Sequence, residues 1–90
     1  MSKPPPLVLI EWEDSFGAGA DWEYLDDFKP PEPLLIRSVG WLLHKDKSIV
    51  VVVPHVSPEH GCCRRQGCGD MTIPRRAVRR IVRLVESDGG

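Results

Sequence analysis

Cysteine and histidine residues gather in one short stretch of the sequence, and they are the residues whose chemistry is most specific. His55, His60, Cys62, Cys63 and Cys68 lie within fourteen residues. Zinc takes four thiolate or imidazole ligands in a tetrahedron, and the spacings His55-x4-His60 and Cys63-x4-Cys68 approach those of zinc-binding loops. One hypothesis is a zinc site built from His60, Cys63, Cys68 and either His55 or Cys62. The alternative is a loop of free thiols, because three cysteines make no disulfide framework in a reducing cytoplasm.

Arginines near the end of the chain form a second candidate site. Residues 61–90 contain seven arginines, and no lysine follows Lys47. Guanidinium groups match phosphate geometry, so the hypothesis is a nucleic acid or nucleotide signal bound there. On a strand, Arg79 and Arg83 would share one face and Arg80 would point to the other, which would divide the site. The candidate anion-binding residues are Arg75, Arg76, Arg79 and Arg83.

Acidic residues concentrate at the opposite end of the chain. Residues 1–33 carry eight acids and two lysines, a net charge of -6, whereas residues 61–90 carry a net +4 and the whole chain -1. The two ends are expected to face each other or solvent, or else to meet charged partners. The spacing of the acids matches no calcium-binding loop, so a solvated acidic face, or one that mimics nucleic acid charge, is expected. These acids include Glu11, Glu13, Asp14, Glu23, Asp26 and Asp27.

No motif in the sequence predicts an enzyme. A glycine-rich phosphate loop, a G-x-S-x-G motif and an H-E-x-x-H motif are all missing from the sequence. Cys63 and His60 are three residues apart on a loop, without a third group to orient them as nucleophile and base. We therefore expect a binding protein that has no catalytic residues.

Length and composition predict one small globular domain. The 90 residues are 41% hydrophobic and 28% charged, and the longest apolar runs, Leu7–Ile10 and Ile49–Val53, are far shorter than the roughly 20 residues that cross a bilayer. Because the first residues lack the apolar segment of a secretion signal, a cytoplasmic location is expected. We expect a proline-rich tail at 1–6, the domain at 7–85 and a flexible C-terminus at 86–90.

Short strands are expected, because eight glycines and nine prolines interrupt the chain. The apolar and β-branched runs predict strands at 7–13, 34–44, 49–56 and 71–73, with a bulge or a kink at Gly40 and both faces of 49–53 covered. Asp21 is expected to cap a short helical turn that ends at Phe28. The predicted core consists of Val8, Ile10, Trp12, Ile36, Val39, Leu42, Val50, Val52, Ile73, Val78 and Ile81, with Trp41 also placed inside.

Residues 75–85 fit two structures. Val78, Ile81, Val82 and Val85 have helical spacing, but a single turn over Pro74–Ala77 followed by a strand is equally allowed because Val and Ile favour strands. The sequence pattern alone leaves both alternatives open.

Four segments together resemble a known group of proteins. They are Glu11-Trp12-Glu13-Asp14-Ser15, the hairpin with Ser38-Val39-Gly40-Trp41-Leu42-Leu43, the strand that ends at Val53-Pro54-His55, and residues 67–78. Over residues 7–85 the chain resembles small, mostly uncharacterised proteins of tailed bacteriophages and prophages. The resemblance implies a five-stranded antiparallel barrel of the SH3-like or Sm-like kind, with the last segment a strand.

The same resemblance implies an accessory protein that acts in the cytoplasm of a host bacterium. A protein of this kind binds and modulates a host protein, in host takeover or against host defence, or it binds nucleic acid or a nucleotide signal. A homo-oligomer is expected as well, because self-association would protect the edges of a small sheet. No membrane partner is expected, and a cofactor other than the possible zinc is not implied.

Overall fold

Seven strands and two single turns make up the described part of the chain. The computed structural model describes residues 3–15 and 20–88, and neither range contains an α-helix. Two 3₁₀ turns, η1 and η2, separate strands that are two to twelve residues long. In chain order the elements are β1 (Leu7–Asp14), η1 (Leu25–Asp27), β2 (Leu34–Lys45), β3 (Ile49–Val53), β4 (His55–Val56), β5 (Gly67–Cys68), β6 (Met71–Pro74), η2 (Arg75–Ala77) and β7 (Val78–Arg83).

Five of the strands form one antiparallel sheet in the order β6-β3-β2-β1-β7, and β4 pairs with β5 in a small second sheet. The predicted mostly β architecture is therefore confirmed. The barrel is not closed by hydrogen bonds, because β6 and β7 occupy opposite edges of the sheet in the part of the chain described. Strand β6 ends at Pro74, which has no amide hydrogen to donate, and the chain turns at once into η2.

The core lies on one face of this sheet, which we call the inner face. Buried Val8 and Ile10 alternate with less buried residues along β1, as expected of a strand with one covered face. Other members come from β3 and β6. The buried cluster consists of Val8, Ile10, Val50, Val52 and Ile73, with Trp12, Leu42, Met71, Ala77, Val78 and Ile81 packed against it.

Three predicted core residues, Val39, Ile36 and Trp41, lie outside this cluster. Val39 pairs with Leu9 on the opposite face and is 57% exposed, so its assignment to the core was wrong. Ile36 pairs with Trp12 and is half-buried without joining the cluster. Trp41 is also half-buried and shares the face of Val39, since the two are separated by a single residue of the strand.

Gly40 lies where the backbone of β3 approaches β2 closely. An ideal Cβ on Gly40 would lie 3.0 Å from the carbonyl oxygen of Val53, so the neighbouring backbone would have to shift by a few tenths of an ångström. The register of β2 with β3 shifts further along, between Leu42 and His44. The bulge prediction was therefore wrong in position, because a glycine in a strand marks either a bulge or a close approach and here marks the second. A kink at Gly40 stays a prediction.

The predicted strand 49–56 is split into two. Strand β3 ends at Val53, and after Pro54 the chain enters β4, which pairs with β5 in the second sheet. Proline cannot donate to the ladder, so the sheet is interrupted there. The face prediction also needs correction: Val50 and Val52 are buried, whereas Ile49 and Val51 are only half-buried.

The two turns resolve the remaining expectations. Turn η1 is confirmed but covers only three residues, and Tyr24, not Asp21, precedes it without a side-chain cap. For residues 75–85 the strand alternative is confirmed and the helix is wrong: η2 follows Pro74, and β7 ends at Arg83. Within residues 3–15 and 20–88, no helix is long and apolar enough to span a membrane.

Candidate functional site

The segment that joins β1 to β2 carries the most unusual surface of the molecule. We call its residues 20–33 the arm, and all of them are exposed. Acidic residues alternate with apolar and aromatic ones over its first half, and three prolines stiffen its second half. The acids are Asp21, Glu23, Asp26 and Asp27, and the apolar residues are Trp22, Tyr24, Leu25 and Phe28.

The apolar side chains of the arm are uncovered to a degree that packing within the chain does not explain. Trp22 is 101% exposed, so its indole has as much contact with water as in an unfolded peptide. Leu25 and Tyr24 are nearly as open. Scattered exposed apolar residues are common, but several together indicate a surface that another molecule covers.

The arm forms a concavity of its own. A cleft of about 670 Å³ is lined by Trp22, Glu23, Tyr24, Asp27, Phe28, Lys29 and Pro31, all of which belong to the arm. The molecule measures 64 × 29 × 25 Å and has a radius of gyration of 18.2 Å. A compact chain of this length would have about 12 Å, so the elongated shape fits an arm that leaves the sheet.

The sequence pattern contained this site without identifying it. We expected a short helical turn that ends at Phe28, and the neighbouring acids to form a solvated face or one that mimics nucleic acid charge. The interleaving of acidic and aromatic residues is visible in the sequence, but it does not show whether the segment is covered by its own domain.

Two acids of β1 are paired with arginines, unlike those of the arm. Glu13 accepts hydrogen bonds from Arg79, with 2.8 Å between Nε and Oε1 and 2.5 Å between Nη2 and Oε2. This bidentate contact lowers the pKa of Glu13 and raises the pKa of Arg79. Glu11 lies between two arginines, with Arg80 Nε at 2.5 Å and Arg37 Nε at 3.5 Å. The expected attraction between the two chain ends thus acts across β1 and β7.

The four candidate arginines do not form one patch. Arg79 is paired with Glu13, and Arg76 is exposed, with its carbonyl accepting a bond from Arg79 Nη1 at 3.2 Å. Half-buried Arg75 has an Nη1 without a partner among the described residues. Arg83 is opposite Val8 in the register and lines a separate hollow with Lys45.

A bulge changes the faces that these arginines occupy. The register of β1 with β7 shifts between Glu11 and Trp12, which leaves Arg79 as an extra residue opposite β1. Arg79 and Arg80 therefore both reach acids of the same face, while Arg83 is opposite an inner-face residue. The expectation that Arg79 and Arg83 share a face was wrong, because it assumed an unbroken strand.

The cysteine and histidine residues are brought together in two pairs. His55 is opposite Cys68 across β4 and β5, and His60 is opposite Cys63 with backbone hydrogen bonds of 2.9 and 3.2 Å. Cys62 joins neither pair, and all three cysteines are exposed free thiols. In the described residues, no three His, Cys, Asp or Glu side chains converge as metal ligands. The four-ligand geometry of the zinc hypothesis is therefore not formed here.

One further carboxylate has a perturbed pKa, and its role is structural. Asp46 accepts a hydrogen bond from His44 Nε2 at 2.7 Å and from the backbone amides of Ile49 and Ser48 at 2.8 and 2.7 Å. These bonds lower its pKa from 3.8 to about 2. Because every partner belongs to the turn between β2 and β3, the shift reports turn formation and not catalysis.

Comparison of the chain with protein-family models, with curated proteins and with solved structures finds no match. The assignment of function therefore depends on the residues themselves. Among the candidate sites in the described residues, the arm combines exposed aromatic side chains, a concave surface and a strong excess of negative charge, with Lys29 as its one basic residue.

Proposed function

We propose that this chain is a non-enzymatic binding protein and that its arm docks on a basic protein partner. The observation that carries this proposal is the exposure of Trp22, Tyr24, Leu25 and Phe28 among four carboxylates. Aromatic side chains that enter a pocket supply most of the binding energy in typical interfaces, and complementary charges increase the association rate. The matching partner has an apolar groove with lysine or arginine at its rim.

For the sheet, we propose the SH3-like or Sm-like class of small barrel. The strand order and the turn η2 between β6 and β7 support this proposal. In a flat sheet the two edge strands would lie about 19 Å apart, at about 4.8 Å between neighbours. A three-residue 3₁₀ turn advances about 6 Å, so the sheet must curl strongly for η2 to join its edges.

For the biological setting, we propose a bacteriophage or prophage accessory protein that acts in the host cytoplasm on a host factor. The resemblance of residues 7–85 to proteins of that origin supports the setting. The arm supports the mode of action, because acidic segments with aromatic anchors suit basic surfaces such as those of proteins that bind nucleic acid. Occupation of such a surface would modulate the host factor, in takeover or against defence.

Affinity capture from a nuclease-treated bacterial lysate tests this function. The double variant Trp22→Ala/Phe28→Ala removes two aromatic anchors from the arm, and Val85→Ala is the matched control because Val85 is an 88% exposed apolar residue outside the arm. We expect the wild type and the control to retain one basic protein in stoichiometric amount, and the double variant to retain at least about tenfold less. Equal retention by the double variant, or retention of nuclease-sensitive material alone, would refute the proposal.

A second candidate function is anion binding at Arg75 and Arg76. It is favoured by the unpartnered Nη1 of Arg75 and by the exposure of Arg76 next to it. Binding of a single-stranded oligonucleotide or a nucleotide at low salt, weakened by Arg75→Gln and by added salt, is the expected result. Absence of binding at low salt would remove this candidate.

A further inference from the structure

The sheet has a second apolar surface, on the face opposite the core. Leu9 is opposite Val39 on β2 and opposite Val82 on β7, so the three side chains form a row across the sheet. Leu7 and Trp41 are opposite each other and form the next row. We call these five residues the outer strip.

The outer strip is not part of the core. None of its residues belongs to the buried cluster or packs against it, and Val39 is 57% exposed. Val53 lies on the same face and shows the effect of an element that covers it. Val53 pairs with Trp41 but is buried, and Gly67 of β5 lies against it. The small second sheet thus covers the margin at β3, while the strip remains half-buried or exposed among the described residues.

One end of the outer strip has an excess of positive charge. The row next to Leu9 is Arg37, Glu11 and Arg80, in which two guanidinium groups share one carboxylate. Arg37 and Arg80 are each at least 60% exposed at their side chains. An apolar surface with such an end favours a ligand that is itself apolar and acidic.

We infer that the arm of one copy docks on the outer strip of a second copy, and that the exchange is reciprocal. The arm supplies apolar side chains for the strip and carboxylates for Arg37 and Arg80. Both surfaces are uncovered in the single chain, and one contact between copies covers both. Since each copy gives an arm and receives one, the assembly closes as a two-fold dimer.

The lengths of the two surfaces agree with this exchange. The arm has fourteen residues, and both of its ends lead back to the paired strands β1 and β2. At about 3.3 Å per residue, a loop of this length reaches at most about 23 Å from the sheet. The outer strip crosses three strands, a width of about 10 Å. The arm is therefore long enough to reach a second copy and to cover a strip of this width.

This inference concerns the same arm as the proposed function, and it depends on that proposal only in treating the arm as the binding element. The second copy would occupy the arm until a basic host partner displaces it. Dimer formation and host binding would then compete, so raising the protein concentration would lower the fraction of arms that is free to bind the host partner.

Complementation between two variants tests the exchange. Val39→Lys places a charge in the strip at an exposed position, Trp22→Ala/Phe28→Ala removes the anchors of the arm, and Val85→Lys is the control. By sedimentation velocity and native mass spectrometry, we expect dimers for the wild type and the control and monomers for each test variant alone. The equimolar mixture of the two test variants should form heterodimers, because it restores one arm and one strip.

Each alternative predicts a different outcome. A dimer held by contact between two strips would survive in the arm variant, and association between two arms would survive in Val39→Lys. Either result, a monomeric wild type, or a mixture without heterodimers would overturn the inference. Arg37→Glu gives a second test that keeps the apolar strip intact, and it should weaken dimerisation at least about tenfold by reversing the charge at its end.

The test of dimerisation and the test of host capture can fail independently of each other. Val39→Lys leaves the arm unchanged, so it should capture the host partner at least as well as the wild type while failing to dimerise. Host capture by a monomeric wild type would reject the dimer alone. A wild-type dimer that captures no host protein would reject the proposed function alone.

Discussion

The inner face of the sheet and the arm contain similar apolar residues but place them in opposite environments. On β1, buried Val8 and Ile10 are separated by residues that point to the other face, so the strand covers its apolar side without burying a charge. In the arm, Asp21, Trp22, Glu23 and Tyr24 also alternate, but both residue types are exposed. The difference shows that neither alternation nor hydrophobicity alone decides which apolar residues become core. On β1 the alternation is combined with pairing to two neighbouring strands, and one side of the strand lies against the core.

The largest difference in stability is expected between a variant truncated in the core and a variant truncated in the arm. Ile10 is fully buried, and Ile10→Ala should lower the free energy of unfolding by about 2–5 kcal/mol because it leaves a cavity. Trp22→Ala removes a larger side chain but should change the free energy of unfolding by no more than about 0.5 kcal/mol. Urea denaturation of both variants, at a concentration at which the wild type is monomeric, measures the contrast. A large loss in Trp22→Ala would mean that the arm packs on its own sheet.

A glycine pair shows how closely the sheet is packed. Gly40→Ala should destabilise by about 1–3 kcal/mol, because the new methyl group meets the carbonyl oxygen of Val53 at 3.0 Å. Gly67→Ala is the control, since its Cβ would make an ordinary contact at 3.4 Å with a side chain of Val53. Equal denaturation midpoints for the two variants would contradict the close approach at Gly40.

Removing the hydrogen bond between Trp12 and Ser38, at the margin of the core, should have a smaller effect on stability. Trp12 Nε1 donates a hydrogen bond to Ser38 Oγ at 3.1 Å in a partly buried position. Ser38→Ala should cost about 1 kcal/mol, because it leaves the indole N–H without its partner. The paired variant Trp12→Phe/Ser38→Ala should be less destabilised than the sum of its single variants. Additive losses in this double-mutant cycle would show that the bond contributes nothing.

The smallest predicted effect is a loss of stability at low pH. The lowered pKa of Asp46, about 2 against 3.8, means that its contribution to stability is complete above about pH 4 and is lost as the pH falls toward 2. The lowered pKa of Glu13 acts in the same direction, below the ordinary value of 4.5. The stability difference between the wild type and Asp46→Asn should therefore shrink as the pH falls through this window. A difference that is constant from pH 6 to 2 would contradict the role of the charge.

Local patterns predicted most of the fold, because the strands follow simple alternation. The β1 residues, the break after Pro74 and the core positions of β3 could be recognised from residue type and spacing. Register could not be recognised, since one extra residue moves every later side chain to the other face. The extra residue Arg79 is the reason that it shares the face of Arg80 and not that of Arg83. Val39 fails for a different reason: it is three residues from Ile36 in an unbroken pairing, so the two lie on opposite faces.

The sequence predicted which residue types the candidate site contains, but not that they form a binding surface. The sequence showed acids and aromatic residues in the arm, yet nothing local indicates whether such a segment folds back on its domain. The outer strip was invisible for a different reason: Leu9, Val39 and Val82 are far apart in sequence and become neighbours only through the pairing of β1 with both β2 and β7.

The position of β1 between β2 and β7 also has a consequence for biosynthesis. Its partner on one side is the last strand of the chain, and Leu84 still donates a backbone bond to Leu7 beyond that strand. The sheet can therefore be completed only after β7 has left the ribosome. Until then the arm is already outside the exit tunnel beside an unfinished sheet, so a nascent chain can meet its first binding partner before it has finished folding.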